Sequence, residues 1–175
     1  MVRKAIGILA VIGMSFSAVA VEAQMPVDPA VGTWRFNVER SVWTPGPRAP
    51  ADAYELRSYT ALENGWYRYM STGRNNAGNP TFQIGVYRLD GRQYPVHSVA
   101  SLTTEMVDRT RSPLTRSYRV IDENTIEMIN YTNGEGGAPF FRQVFADGNT
   151  FIQVTEGTNA AGVEFRNVLV YDRVN

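Results

Sequence analysis

The chain has 175 residues, of which 43% are hydrophobic and 19% charged, and its 17 basic and 17 acidic side chains balance. Such a composition is that of a folded globular protein, and the length suits one domain. A chain without net positive charge lacks the electrostatic footprint of a nucleic-acid-binding protein. Cysteine is absent and histidine occurs once, which excludes disulfides, thiol nucleophiles and a two-histidine metal site. We expect neither a metal nor another cofactor.

Residues 1–23 have the pattern of a secretory signal peptide. A short basic start precedes an uncharged, mostly apolar run, and small residues then allow cleavage after Ala20 or Ala23. The alternative is a membrane anchor, but a helix that spans a bilayer needs about 20 predominantly apolar residues. This run is shorter, and glycines and serines interrupt it. We therefore expect a periplasmic or secreted protein with no membrane span, whose single mature domain covers residues 24–175.

Short runs of alternating apolar and polar residues fill the chain after Pro29. Turn residues separate these runs roughly every 8–12 residues, a pattern typical of an all-β sandwich or barrel. The clearest hairpin turns are Asp90-Gly91 and Asp147-Gly148. The predicted strands are Val31–Phe36, Ala53–Leu62, Trp66–Gly73, Thr81–Leu89, Leu102–Asp108, Thr115–Ile121, Thr125–Thr132, Phe140–Phe145, Phe151–Glu156 and Glu164–Arg173.

The short connections between these runs predict how the strands pair. Neighbours in the chain pair antiparallel, because parallel pairing needs long crossover connections. A meander of this kind has two exposed edges, and closure into a barrel removes both. We predict an all-β, antiparallel up-and-down barrel of about eight to ten strands, with a two-sheet β-sandwich as the alternative.

Two of the predicted strands, Trp66–Gly73 and Phe140–Phe145, have no cleanly polar face. Strands of this kind favour a barrel whose interior holds a ligand among aromatic and a few polar side chains. The alternative is an aromatic core with the arginines outside, their stems on apolar surface and their charged ends in water.

Gly32-Thr33-Trp34 opens the first predicted strand and is the first of several segments that resemble those of a known family. The others are Asn37, Ser41, Pro45-Gly46-Pro47, Asp90-Gly91, Tyr94-Pro95-Val96, Asn159, Gly162 and Val170-Tyr171-Asp172. The Gly-x-Trp resembles the lipocalin/calycin signature, and the whole set resembles one group of secreted bacterial lipocalin-like proteins. In that superfamily the tryptophan closes the bottom of the barrel and an arginine near the last strand packs across it. The resemblance implies these structural roles for Trp34 and Arg173, together with ligand binding, but it implies no reaction.

His97 is the only histidine, and its ordinary pKa lies near neutral pH. It follows Tyr94-Pro95-Val96 at a predicted break between hairpins, where the rim of a barrel lies. If both side chains point inward, His97 and Tyr94 form an acid–base pair that exchanges protons with a bound molecule. The alternative is an exposed or merely hydrogen-bonded loop histidine.

Several arginines fall within predicted strands and are candidates for binding a ligand. They are Arg57, Arg68, Arg88, Arg119, Arg142 and Arg166. An inward arginine beside an aromatic ring can hold a carboxylate through two hydrogen bonds. We predict Arg68 as this group, because Trp66, Tyr69 and Met70 surround it in the sequence and complete a ligand-binding set.

Together these features predict a secreted or periplasmic binding protein for a small apolar or aromatic molecule held inside a β-barrel. The alternative is a cofactor-free lyase, isomerase or hydrolase that acts on an aromatic or lipid-like compound in the same barrel, with His97 and a tyrosine as the acid–base pair. A third hypothesis is an envelope protein with a packed barrel and no cavity.

Overall fold

The computed structural model describes residues 26–46, 49–50, 52–74, 78–99, 114–159 and 161–174. The predicted signal peptide and the predicted strand Leu102–Asp108 lie outside these residues. Within them, no helix has the length and apolar character needed to cross a membrane.

β-Strands make up almost all the regular structure of the described chain, which also contains one 3₁₀ turn at Glu63–Gly65. The strands are β1 (Gly32–Thr44), β2 (Glu55–Ala61), β3 (Tyr67–Arg74), β4 (Pro80–Tyr87), β5 (Asp90–Val99), β6 (Thr115–Val120), β7 (Thr125–Thr132), β8 (Glu135–Gly136), β9 (Phe140–Val144), β10 (Thr150–Thr158) and β11 (Glu164–Arg173).

All strands except the two-residue β8 close into one antiparallel barrel. Their order is β6-β5-β4-β3-β2-β1-β11-β10-β9-β7, and a further pairing of β6 with β7 closes the ring. β8 pairs with the end of β7. The prediction of an up-and-down barrel is confirmed, and the alternative sandwich is wrong because the first and last strands of the sheet pair with each other and leave no open edge.

Strand alternation divides the side chains between the inside and the outside of the barrel. In β9, Phe140, Arg142 and Val144 are buried while the residues between them are more exposed. In β3, Tyr67 and Tyr69 take the inner face, as expected from the period of two along a strand. The core is mainly aromatic, and its largest buried rings are Trp34, Tyr59, Tyr67, Tyr69, Tyr87, Tyr118, Phe140, Phe151 and Tyr171.

β5 is a strand that the sequence analysis missed. A break between hairpins was expected around Pro95, but the strand continues through this residue to Val99. β5 pairs with β6 between Asp90 and Pro95, and with β4 between Val96 and Val99. Pro95 therefore lies where the pairing changes partner, a place where a strand tolerates a residue that has no N–H to donate.

Trp34 and Arg173 lie at one end of the barrel, which we call the base. Trp34 is fully buried, and its Nε1–H donates to the carbonyl of Ala30 at 2.7 Å. The guanidinium carbon of Arg173 lies 4.1 Å from the Trp34 ring centroid. Arg173 also donates to the carbonyls of Gly148 (2.6 Å) and Val31 (3.1 Å), so it ties the last strand to the start of the first.

Gly32 is required by the same arrangement. Its φ is +139°, and a Cβ at this position would overlap the guanidinium of Arg173. The glycine of the Gly-x-Trp segment therefore makes room for the arginine that covers the tryptophan.

Candidate ligand-binding site

A cavity of about 210 Å³ lies inside the barrel, on the side of the aromatic core away from the base. β2 and β6 both run toward the base, and Arg57 and Arg116 stand near the starts of these strands. The side chains that line the cavity are Arg57, Tyr69, Gln83, Arg116, Asn130, Phe140, Gln153 and Thr155. Seven strands contribute to this lining, so the closed sheet fixes the relative positions of its polar groups.

Arg57 has a partner for each of its three nitrogens. Glu55 accepts from Nε at 2.8 Å and from Nη2 at 3.1 Å, and Gln153 Oε1 accepts from Nη1 at 2.6 Å. The Tyr171 hydroxyl donates to Glu55 at 2.7 Å, and the Tyr171 ring centroid lies 4.4 Å from the guanidinium carbon. Arg57 is therefore held in place, and the carboxylate of Glu55 balances its charge.

Both members of this ion pair stay charged at neutral pH. Burial by itself raises the pKa of Glu55, but the charge and hydrogen bonds of Arg57, with hydroxyl donors from Tyr171 and Ser71, bring it below its ordinary value. Burial likewise lowers the pKa of Arg57, and the neighbouring Glu55 carboxylate raises it well above the ordinary value.

Arg116 is buried, with 8% of its surface exposed, and forms no ion pair with any carboxylate of the described residues. Its Nε donates to Asn130 Oδ1 at 2.6 Å. The guanidinium carbon lies 5.3 Å from the Phe140 ring centroid and 5.6 Å from that of Tyr69. A buried cation without a counter-ion is costly, so an anion in the cavity would relieve this cost.

Two further polar groups of the lining are linked to each other. The Tyr69 hydroxyl donates to Gln83 Oε1 at 3.2 Å, and Gln83 Nε2 donates to Ser98 Oγ at 3.4 Å. Burial raises the pKa of Tyr69, against the opposing effect of Arg57. Tyr69 therefore faces the cavity as a neutral phenol at physiological pH.

Arg142 is a third interior arginine, and it lies at the base rather than in the cavity. Its Nη2 donates to both carboxylate oxygens of Asp28, at 2.7 and 2.5 Å, and both side chains are fully buried. Asp28 also accepts from the Tyr87 hydroxyl and, at 2.8 Å, from the backbone N–H of Ala30. Burial lowers the pKa of Arg142, but the charge of Asp28 raises it well above its ordinary value. We call Asp28, Tyr87 and Arg142 the base cluster.

The structure separates the predicted ligand-binding residues. Tyr69 lines the cavity, whereas Arg68 and Met70 are exposed on the outside of β3. The inward direction predicted for Arg68 is wrong, because Tyr67 and Tyr69 on either side of it occupy the inner face. Trp66 is half-buried just before β3. Whether any of these side chains binds a ligand stays a prediction.

The predicted acid–base residues both lie on β5 rather than at a break in the sheet. His97 is exposed and pairs with Ile84 of β4. The Tyr94 hydroxyl donates to Asp90 at 2.8 Å, and its ring meets Trp66 edge-on at 5.4 Å. Among the described residues no hydrogen bond joins His97 to Tyr94, and neither residue is part of the cavity lining. Their catalytic role stays a prediction.

Arg57 was one of the arginines proposed from the sequence as candidates for binding a ligand, but Arg68 was preferred to it. Arg116 was not among those candidates. A signal for both exists in the chain, because Arg-Ser-Tyr occurs twice, at residues 57–59 and 116–118. On a strand this spacing puts the arginine and the tyrosine on one face. In both copies that face is the inner one, with the arginine at the cavity and the tyrosine closer to the base.

The part of the chain that the structure describes contains no group of three or more histidine, aspartate or glutamate side chains able to hold a metal ion. No protein-family model and no curated protein matches the chain.

Among solved structures, the chain is similar to a mutant of the fluorescent protein UnaG, with a TM-score of 0.49 and 9% identity over 84% of this chain and 97% of that one. It is also similar to Rv2717c from M. tuberculosis, with a TM-score of 0.47 and 15% identity over 84% and 94% of the two chains. A third similar structure is the tryptamine complex of the amine-binding protein of Rhodnius prolixus, with a TM-score of 0.38 and 9% identity over 83% and 67%.

Proposed function

We propose that the protein binds a small aromatic acid inside the barrel, with the carboxylate of the ligand on Arg116. The observation that carries the proposal is the state of this arginine, which is buried, lines a cavity and lacks an acidic partner among the described residues. Its Nε is engaged by Asn130, and a carboxylate is the natural acceptor for the remaining N–H groups of a guanidinium.

The charges around the cavity favour an anion. Arg57 and Arg116 contribute two positive charges, and Glu55 cancels one of them. The site therefore keeps one positive charge that no carboxylate of the described residues balances. A ligand carboxylate would supply the missing negative charge.

The other lining groups favour a small aromatic body. The rings of Tyr69 and Phe140 lie beside Arg116 and offer apolar surface, while the amides of Asn130 and Gln153 can orient polar substituents. A volume of about 210 Å³ is below the roughly 300–1,000 Å³ of clefts that hold drug-sized molecules. The ligand is accordingly a compound of about the size of benzoate.

The proposal includes a setting outside the cytoplasm. The secretory pattern of residues 1–23 supports it. Mass spectrometry of the protein purified from its own cells tests this part. We expect a chain that starts after Ala20 or Ala23, whereas a chain that still carries residues 1–23 would contradict the setting and leave the binding proposal to its own test.

Calorimetric titration with benzoate and with benzamide, its neutral counterpart, tests the binding. We expect wild-type protein to bind benzoate at least tenfold more tightly than benzamide. Arg116→Leu should lose at least tenfold in benzoate affinity, which corresponds to about 1.4 kcal/mol. Arg68→Leu is the matched control, since it removes an exposed arginine from the outer face and should leave affinity unchanged.

Two results would overturn the proposal. One is wild-type protein that binds none of benzoate, phenylacetate and the hydroxybenzoates. The other is an Arg116→Leu variant that is folded and binds benzoate as wild-type protein does. A loss confined to Arg68→Leu would place the ligand on the outer face of β3 instead.

A further inference from the structure

We infer that Glu55 sets the charge of the ligand and restricts the cavity to molecules with a single negative charge. The inference rests on the proposed binding of an anion at Arg116 and adds a specificity that this arginine alone does not provide. Glu55 acts through Arg57 and is therefore a positioning residue, outside the set of side chains that line the cavity.

The contacts of Arg57 explain why it attracts a second anionic group only weakly, since three of its five N–H groups are engaged and Glu55 balances its charge. Its Nε and Nη2 donate to the carboxylate of Glu55, and its Nη1 donates to Gln153 Oε1. Tyr171 in turn donates to Glu55 and holds the carboxylate in this position. A second ligand carboxylate near Arg57 would meet a neutralised guanidinium and the negative charge of Glu55 just behind it.

The two cavity arginines thus differ in function although both line the same space. No carboxylate of the described residues balances the charge of Arg116, whereas Glu55 balances that of Arg57. A dianion would bring one negative charge more than the lining and Glu55 together can balance, and desolvating that charge is expensive. The cavity therefore discriminates between monoanions and dianions of the same size through the Glu55–Arg57 pair.

Glu55→Gln tests this directly, because the amide has the same shape and carries no charge. Its carbonyl oxygen can still accept from Arg57 Nη2 and from the Tyr171 hydroxyl, while the hydrogen bond from Arg57 Nε is lost. The probes are benzoate and the three benzene dicarboxylates, titrated at neutral pH. We expect wild-type protein to prefer benzoate over every dicarboxylate by at least tenfold. In Glu55→Gln at least one dicarboxylate should gain tenfold or more relative to benzoate. Glu156→Gln, which removes a carboxylate from an exposed pair with Arg166, is the matched control and should show the wild-type preference.

The outcomes separate this inference from the proposed function. If wild-type protein binds none of benzoate, phenylacetate and the hydroxybenzoates, the proposed function fails. If wild-type protein binds benzoate and folded Glu55→Gln keeps the wild-type preference, the charge selection by Glu55 is overturned while anion binding stands. A gain of the same size in Glu156→Gln would also overturn it, because the effect would then be one of overall charge.

A second variant keeps the inference testable if Glu55→Gln does not fold. Gln153→Glu adds a carboxylate on the other side of Arg57, so the lining together with Glu55 then carries no net charge. We expect its preference for benzoate over benzamide to fall at least tenfold. An undiminished preference in a folded Gln153→Glu protein would show that the number of charges around Arg57 does not select the ligand.

Discussion

Arg142 in the base cluster and Arg116 in the cavity are both buried inside the barrel, but of the two only Arg142 has a carboxylate partner among the described residues. Arg142 is fully buried and makes two hydrogen bonds to Asp28, which the Tyr87 hydroxyl also contacts. Arg116 has an amide, Asn130, as its hydrogen-bond partner in the described part of the chain.

The difference distinguishes a structural arginine from a binding one. A buried charge costs stability in a folded protein unless something compensates it. At the base the chain itself provides the counter-ion, so the charge of Arg142 is balanced without a ligand although its Nε and Nη1 have no hydrogen-bond partner among the described residues. The cluster also holds residues 28–30 against the barrel. In the cavity the described residues provide no such counter-ion, and under the proposed function a ligand supplies it.

Substitution of each arginine by leucine gives the largest expected effect and tests the comparison most directly. Arg142→Leu leaves the carboxylate of Asp28 buried and unpaired, and we expect the free energy of unfolding to fall by about 3–5 kcal/mol. Arg116→Leu removes a charge that has no carboxylate partner among the described residues and loses one hydrogen bond to Asn130. The two effects oppose each other, so the free energy of unfolding should change by no more than about 1 kcal/mol. Urea denaturation measures both, and equal losses in the two variants would remove the distinction between them.

The barrel itself was predictable because its strands keep a simple period. In β9 the alternation places Phe140, Arg142 and Val144 on one face of a strand, and the turn residues around it fix its length, but only the structure shows that this face is the inner one. Trp34 and Arg173 were expected as partners from the resemblance alone, and the structure places the guanidinium over the ring. β5 was missed because a proline at position 95 is locally a strand breaker, and the change of pairing partner that tolerates it depends on two other strands.

The binding site was less predictable because it depends on contacts between residues that lie far apart in the chain. In β3 both faces carry aromatic residues, so alternation alone does not tell which face is inside, and Arg68 was chosen from the wrong one. The partner of Arg142 lies 114 residues away in the chain. Whether an inward arginine is compensated, as Arg142 is, or uncompensated, as Arg116 is, depends on such distant contacts and becomes visible only when the barrel is closed.

Ligand-dependent stability gives the next largest effect. A ligand that binds only the folded state stabilises it by about 2.7 kcal/mol at one hundred times its Kd. We expect saturating benzoate to raise the unfolding temperature of wild-type protein and to have no effect on Arg116→Leu. Thermal denaturation followed by circular dichroism makes the measurement, with benzamide as the neutral control. An equal rise in both proteins would mean that benzoate binds away from Arg116.

High pH should weaken the core near the base through its tyrosines. Burial raises the pKa of Tyr118 from 10.0 to about 12, against the opposing effect of Arg116. Because the neutral phenol is the form that the fold favours, its contribution to stability is complete below pH 10 and is lost as the pH rises through 12. We expect the ultraviolet absorbance of phenolate to report a group that ionises in this range, and Tyr118→Phe to remove it. An unchanged titration curve in the variant would contradict the assignment.

Removal of the Tyr118 hydroxyl should have the smallest effect, and one of unusual sign. This hydroxyl is buried and has no hydrogen-bond partner among the described residues, while its ring stacks on Tyr87 at 3.8 Å. An unsatisfied buried polar group costs stability, and phenylalanine keeps the stacked ring without that group. We expect Tyr118→Phe to raise the free energy of unfolding by about 1 kcal/mol. Tyr87→Phe is the matched control, because its hydroxyl donates to Asp28 and its removal should destabilise the protein. A loss of stability in both variants would mean that the Tyr118 hydroxyl has a hydrogen-bond partner in solution. The buried polar groups of the base and of the cavity would then differ less than the contacts of Arg142 and Arg116 indicate.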